Sequence, residues 1–140
     1  MIKVLNVLLW AAIFGFWLFI SRAYHPTLLI AILATAVLVA VSATAVYLNH
    51  LVLLPKYAEH RSFARYIIQL VAAVTLPGLL AVLIIQAIYD YLWGPDPNRF
   101  GFWQNLAYEI IFISIHVIIA MAAIRLSKKL RRGKPGLLKK

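Results

Sequence analysis

At 140 residues, with 64% apolar residues and a mean hydropathy of +0.90, the chain lies far outside the range of water-soluble domains. Its formal net charge is +10, from 14 Lys/Arg set against Glu59, Asp90, Asp96 and Glu109. There is no cysteine, which excludes disulfides, thiolate metal sites and a thiol nucleophile.

Four apolar runs fill most of the chain, at residues 4–20, 28–48, 67–92 and 105–126. A hydrocarbon core of about 30 Å needs roughly 20 helical residues at 1.5 Å each. Each run therefore predicts a membrane-spanning helix, and the connections between them are too short to fold alone. The expected architecture is an all-α integral membrane protein. It has a four-helix transmembrane domain over residues 1–126, arranged as an antiparallel up-down bundle, followed by a basic tail at 127–140.

The first run has some signal-peptide character, with Lys3 ahead of it and small residues, Ser21 and Ala23, at the cleavage-determining positions. It is longer than a usual signal core and carries Trp10 and Trp17, so it reads as a retained span. Its removal would leave three helices without changing their orientation. The turn at residues 21–27, closed by Pro26, leads into the second run.

That second run carries Ala36, Ala40 and Thr44 at intervals of four, a stripe of small residues that predicts a packing face within the monomer or between subunits. The connection at 49–66 mixes Leu51, Leu53, Leu54, Tyr57, Phe63 and Tyr66 with Lys56, Glu59, Arg61 and Arg65. It reads as an amphipathic loop lying in the membrane interface with its basic side chains snorkelling outward.

Charge sets the orientation. Lys3, then Lys56, Arg61 and Arg65, then eight Lys/Arg from Arg125 to Lys140 fall on one side; Arg22 and Arg99 fall on the other. The positive-inside rule then places both termini in the cytoplasm of a bacterial inner membrane. Lys128, Lys129, Arg131, Arg132 and Lys134 read as an anchor on anionic lipid of the cytoplasmic leaflet, not as a nucleic-acid surface. Tyr24, Tyr89, Tyr91, Trp93 and Trp103 cluster at the outer boundary, as interfacial aromatics do.

Ionisable groups at bilayer depth cost about 2.5–3.5 kcal/mol each on insertion scales, so they are candidate functional residues. Glu109 and His116 are seven apart on the fourth run, hence on one helical face. The third run, crossing in the opposite direction, offers Gln86 at the expected depth of Glu109 and Pro77-Gly78 at that of His116. Pro77 frees the Ala73 carbonyl, to which a neutral His116 could donate a hydrogen bond, and Gly78 permits close approach. The same residues also fit a plainer role, as polar glue between helices worth about 0.6–2 kcal/mol per bond.

No catalytic constellation is visible, so no enzyme is expected. His25, His50 and His60 lie in different connections, which argues against a metal site, and no Gly-rich phosphate loop or other cofactor motif is present.

The stretch from Tyr47-Leu48-Asn49 through Leu54-Pro55-Lys56, followed by basic residues and Arg65-Tyr66, resembles the turn joining spans two and three in the membrane region of LytS/YehU-type bacterial sensor histidine kinases. The Leu5-Asn6-Val7-Leu8-Leu9-Trp10 start and the Arg125-Leu126 pair fit the same pattern, over about residues 1–130. The resemblance implies a sensing role. The chain departs from it after Arg132, where Gly133, Pro135 and Gly136 interrupt the helix and no phosphoacceptor helix or nucleotide site follows. The expected function is a non-enzymatic membrane sensor or coupling module that acts through contacts with itself or a membrane-protein partner, with Pro77-Gly78 as a flexing point. Two alternatives stand beside it: a small homo-oligomeric channel or membrane-perturbing effector, and a lipid- or quinone-handling subunit.

Overall fold

The computed structural model describes residues 2–97 and 99–132, without the side chains of residues 2–5, 127, 128 and 130–132. These residues are almost wholly helical and contain no strand. Helix α1 spans Ile2–Ser21 and ends in a 3₁₀ turn, Arg22–Tyr24. Helix α2 spans Leu28–Leu48, α3 Leu54–His60, α4 Phe63–Leu92 and α5 Phe102–Arg132. Four helical segments are long and apolar enough to cross a membrane: Asn6–Tyr24, Leu28–His60, Phe63–Leu92 and Phe102–Leu126.

The second segment departs from expectation. The expected end at residue 48 and the interfacial loop over 49–66 are replaced by a continuous helical rod that runs to His60. Pro55 explains the form of the join. It lacks an N–H, and in a regular helix its ring would meet the carbonyl four residues back. The chain widens into a π turn over Asn49–Leu53, where the Leu54 N–H donates to the Asn49 carbonyl, and Pro55 then sits in the first turn of α3. Only Arg61 and Ser62 separate α3 from α4. Arg61 makes the reversal in the left-handed region, at φ 50° and ψ 20°. Likewise α4 starts at Phe63 rather than 67, and α5 at Phe102 rather than 105.

Specific contacts show the helices to be antiparallel neighbours. Trp10 Nε1 donates to the Tyr47 hydroxyl (3.0 Å) and Ser21 pairs with Thr35 (3.1 Å), so α1 and α2 run in opposite directions. Tyr66 reaches Met121 (3.8 Å), while Gly78 faces Ile110 and Ile113, which orders α4 against α5 in the same way.

The core belongs to three helices. Val41 and Ala45 of α2, Val74 and Ala81 of α4, and Ile113 and Val117 of α5 form one buried cluster. Small residues (Ala31, Ala34, Ser42, Ala45, Ala73, Gly78 and Ala81) bring the backbones together and allow close van der Waals contact between the helices. On α2 this buried face is not the expected stripe. Ala36, Ala40 and Thr44 are exposed, and Thr44 turns its hydroxyl back onto the Ala40 carbonyl (2.9 Å). Helix α1 adds nothing to the core: none of its described side chains is buried. Between their ends the long helices present a largely apolar outer surface, with Leu8, Phe19, Leu76 and Ile118 each at least 60% exposed.

Candidate functional site

Three features place polar chemistry where the packing is otherwise carbon: a clasp on α1, an unpartnered carboxylate on α5, and a basic cavity at the α3–α4 turn.

Along α1 the residues facing its neighbours are Trp10, Trp17 and Ser21, spaced so that one side of the helix meets α2 and α5. Trp17 Nε1 donates to His116 Nε2 at 3.0 Å. Indole nitrogen is only a donor, so Nε2 is the unprotonated nitrogen of the ring. The other nitrogen, Nδ1, then carries the hydrogen and donates to the Phe112 carbonyl one turn back, at 2.7 Å. The histidine is therefore held as a single neutral tautomer with both nitrogens used. Phe112 meets the Trp17 ring edge-on at 4.7 Å, closing the contact. The expected bond from His116 to the carbonyl freed by Pro77 does not form; His116 turns away from α4 towards α1. With Trp10–Tyr47 and Ser21–Thr35, this bond makes three polar ties along one apolar helix.

Glu109 sits beside Gly78. A Cβ placed there would lie 3.9 Å from that of Glu109 and 3.5 Å from side-chain carbons of Ile110 and Ile113. The close approach at Gly78 sets the register, leaving Gln86 eight residues, or about 12 Å of helix axis, further along α4. The expected Glu109–Gln86 pairing is thereby removed. Glu109 Oε2 is buried with no hydrogen-bond partner among the described residues, as is Ser42 Oγ.

At the α3–α4 turn, Lys56, Tyr57, His60, Arg65, Tyr66 and Gln69 line a cavity of about 180 Å³. Its floor is fixed by Tyr66, whose hydroxyl donates to Oδ1 of the buried Asn49 at 3.0 Å, tying α4 to the π turn. Lys56 and Arg65, two of the expected membrane-surface cations, thus converge on one concavity. Arg61 is exposed at the turn itself. Lys129 is exposed on α5, whereas the side chains of Lys128, Arg131 and Arg132, and all of Lys134, lie outside the described residues.

At the opposite end, the His25 ring and the Tyr89 hydroxyl are 2.5 Å apart, and Arg99 bridges Asp90 (2.7 Å) while lying over the Tyr89 ring (4.9 Å). Burial pushes the His25 pKa below its ordinary value by disfavouring the charged ring.

Sequence reading missed the partners rather than the residues. Trp10 and Tyr47, like Ser21 and Thr35, are nearly equidistant from residue 28, where α2 begins, a signal available to antiparallel neighbours. Trp17–His116 carries no such signal, because it joins the first span to the last.

Comparison with protein-family models, with curated proteins and with solved structures yields no match. Nothing in these comparisons identifies the chain with sensor-kinase membrane regions, and Leu54-Pro55-Lys56, expected at a turn, lies inside the helical rod, which reverses only at Arg61.

Proposed function

We propose that the chain is a multi-pass protein of the bacterial cytoplasmic membrane, inserted with both termini inside, and that it acts as a non-enzymatic coupling module of a signalling system. The orientation follows from the basic residues gathered at one end of the bundle. The apolar outer surface supports insertion, since water would not tolerate so much exposed hydrocarbon.

One observation carries the coupling reading. Helix α1 lies outside the three-helix core and is held by polar ties, the central one to His116 on α5. A helix with no fully buried side chain among those described, tied to its neighbours by a few directional bonds, is the element of this bundle best suited to shift. Helix α5 runs unbroken from Phe102 to Arg132, so a shift at His116 is passed along one rigid element to the basic end. The exposed Ala36–Ala40–Thr44 stripe is a further surface on which a second copy or a partner helix would pack.

Native mass spectrometry of the protein, gently extracted from its host membrane, tests this. Recovery with itself or with a signalling protein is the expected result; a monomer free of protein partners would overturn it. Ion flux in liposomes that is abolished by His116→Leu would replace this reading with an oligomeric channel.

A further inference from the structure

Two neighbouring concavities, with Gln69 in the lining of each, lie where α4 packs against the rod formed by α2, the π turn and α3. The first is the 180 Å³ basic cavity described above. The second, about 320 Å³, is walled almost wholly by carbon: Leu48 and Leu53 on one side, Ala73, Leu76 and Pro77 of α4 on the other. From Arg65 to Leu76 the axis of α4 advances about 16 Å, so a cationic mouth gives way to an apolar trough along a single helix.

We propose that this composite cleft binds one anionic phospholipid of the inner leaflet, with its phosphodiester headgroup between Lys56 and Arg65 and an acyl chain along α4 past Gln69 to Pro77. The proposal rests on membrane insertion with the basic end inside, and not on the signalling role.

Charge and polarity choose the occupant. Two permanent cations line the mouth and, among the described residues, no carboxylate does; Glu59, the acid of this segment, is exposed and lines neither cavity. A zwitterionic lipid would bring its own ammonium towards Lys56 and Arg65, and a soluble anion would make no use of the trough. An anionic lipid satisfies both parts, in the order in which they occur. The depth also agrees. Counted from Leu28, a hydrocarbon core of about 30 Å ends near residue 48, and Lys56 lies about 12 Å beyond, among headgroups. Tyr57 and Tyr66, with ring centroids 5.2 Å apart, supply the amphipathic wall typical of that zone. Small side chains at Ala72 and Ala73 leave the trough open, and the π turn carries Leu53 to its edge.

The test is retention of lipid by the full-length protein in phosphatidylcholine nanodiscs doped with phosphatidylglycerol, read by native mass spectrometry. One phosphatidylglycerol should be retained over phosphatidylcholine by about 30-fold, the factor expected for two cations at a lipid headgroup. The preference should vanish in Lys56→Ala/Arg65→Ala and persist in the charge-matched tail variant Lys129→Ala/Lys140→Ala. Ala72→Trp, at an exposed position lining the trough, fills it while leaving every charge and the buried core in place, and should also abolish retention. Equal loss in the tail variant would mean diffuse attraction and overturn the site. So would undiminished retention in Ala72→Trp, which would mean a headgroup anion is held without its chain. A protein that inserts without lipid selectivity overturns this site alone; one that fails to enter nanodiscs overturns the membrane reading with it.

Discussion

Trp17 and His116, 99 residues apart in the chain, are joined by a 3.0 Å hydrogen bond that ties the first helix to the last. Trp17→Phe keeps an aromatic edge against Phe112 while removing the donor to Nε2. The expected loss is about 0.6–2 kcal/mol, the range for interhelical bonds among membrane helices. Spin labels at Ala12 and Ile119, both exposed, should show a broader distance distribution between α1 and α5. An unchanged width and unchanged unfolding midpoint would show that the bond does not hold α1.

Tyr66→Phe should cost more, about 1–3 kcal/mol, because it strands the Oδ1 of Asn49, which is only 2% exposed. A double-mutant cycle with Asn49→Ala would measure this directly. The two losses should be non-additive by at least about 0.5 kcal/mol, and strict additivity would deny the interaction.

Gly78 gives a two-sided expectation. The space beside it accepts a methyl group in ordinary contact with Ile110 and Ile113 at 3.5 Å, so Gly78→Ala should be neutral or slightly stabilising. Gly78→Leu overfills the α4–α5 contact and should lose about 1–3 kcal/mol in a thermal unfolding series. Equal behaviour of the two variants would mean the helices are not in contact at this point.

His25 makes stability depend on pH. Its folded-state pKa lies below the ordinary value of 6.5, so the unfolded state binds more protons in the interval between the two values, and stability rises with pH there. The contribution is complete above about 6.5 and is lost as the pH falls below it. Tyr89, Asp90, Asp96 and Arg99 surround this end of the bundle. Thermal midpoints measured on either side of that interval should fall on acidification, and the fall should shrink in His25→Phe. An identical pH response in the variant would assign the effect to other groups.

The Arg61 reversal offers one more check. A non-glycine residue at φ 50° carries steric strain, so Arg61→Gly should be neutral or gain up to about 1 kcal/mol despite removing a charge. A clear loss would mean that its guanidinium makes contacts outweighing that strain.

Length, hydropathy and charge order are one-dimensional quantities, and by themselves they determined the number of long apolar helices, their order and the basic end. Leu28 to Leu48 reads as helix from sequence alone, because about 20 apolar residues without a breaker have few other solutions. Asn49–His60 did not read as helix, because a proline within a polar-apolar mixture signals a break. Only the folded chain shows that a π turn absorbs Pro55.

The tertiary structure alone decided which face of each helix is buried and what each polar group meets. Ala36, Ala40 and Thr44 are as small as Ala34, Ser42 and Ala45, so no propensity separates the two stripes; the crossing of α2 with α4 and α5 does. His116 could have turned to the Ala73 carbonyl or to an indole. Packing α1 along α2 brings the Trp17 side chain within reach of His116 on α5, and a directional bond then selects the ring's tautomer. Lys56, Arg65 and Pro77 belong to separate stretches of sequence, and they line one cleft because the Arg61 reversal folds α4 back along the rod that precedes it.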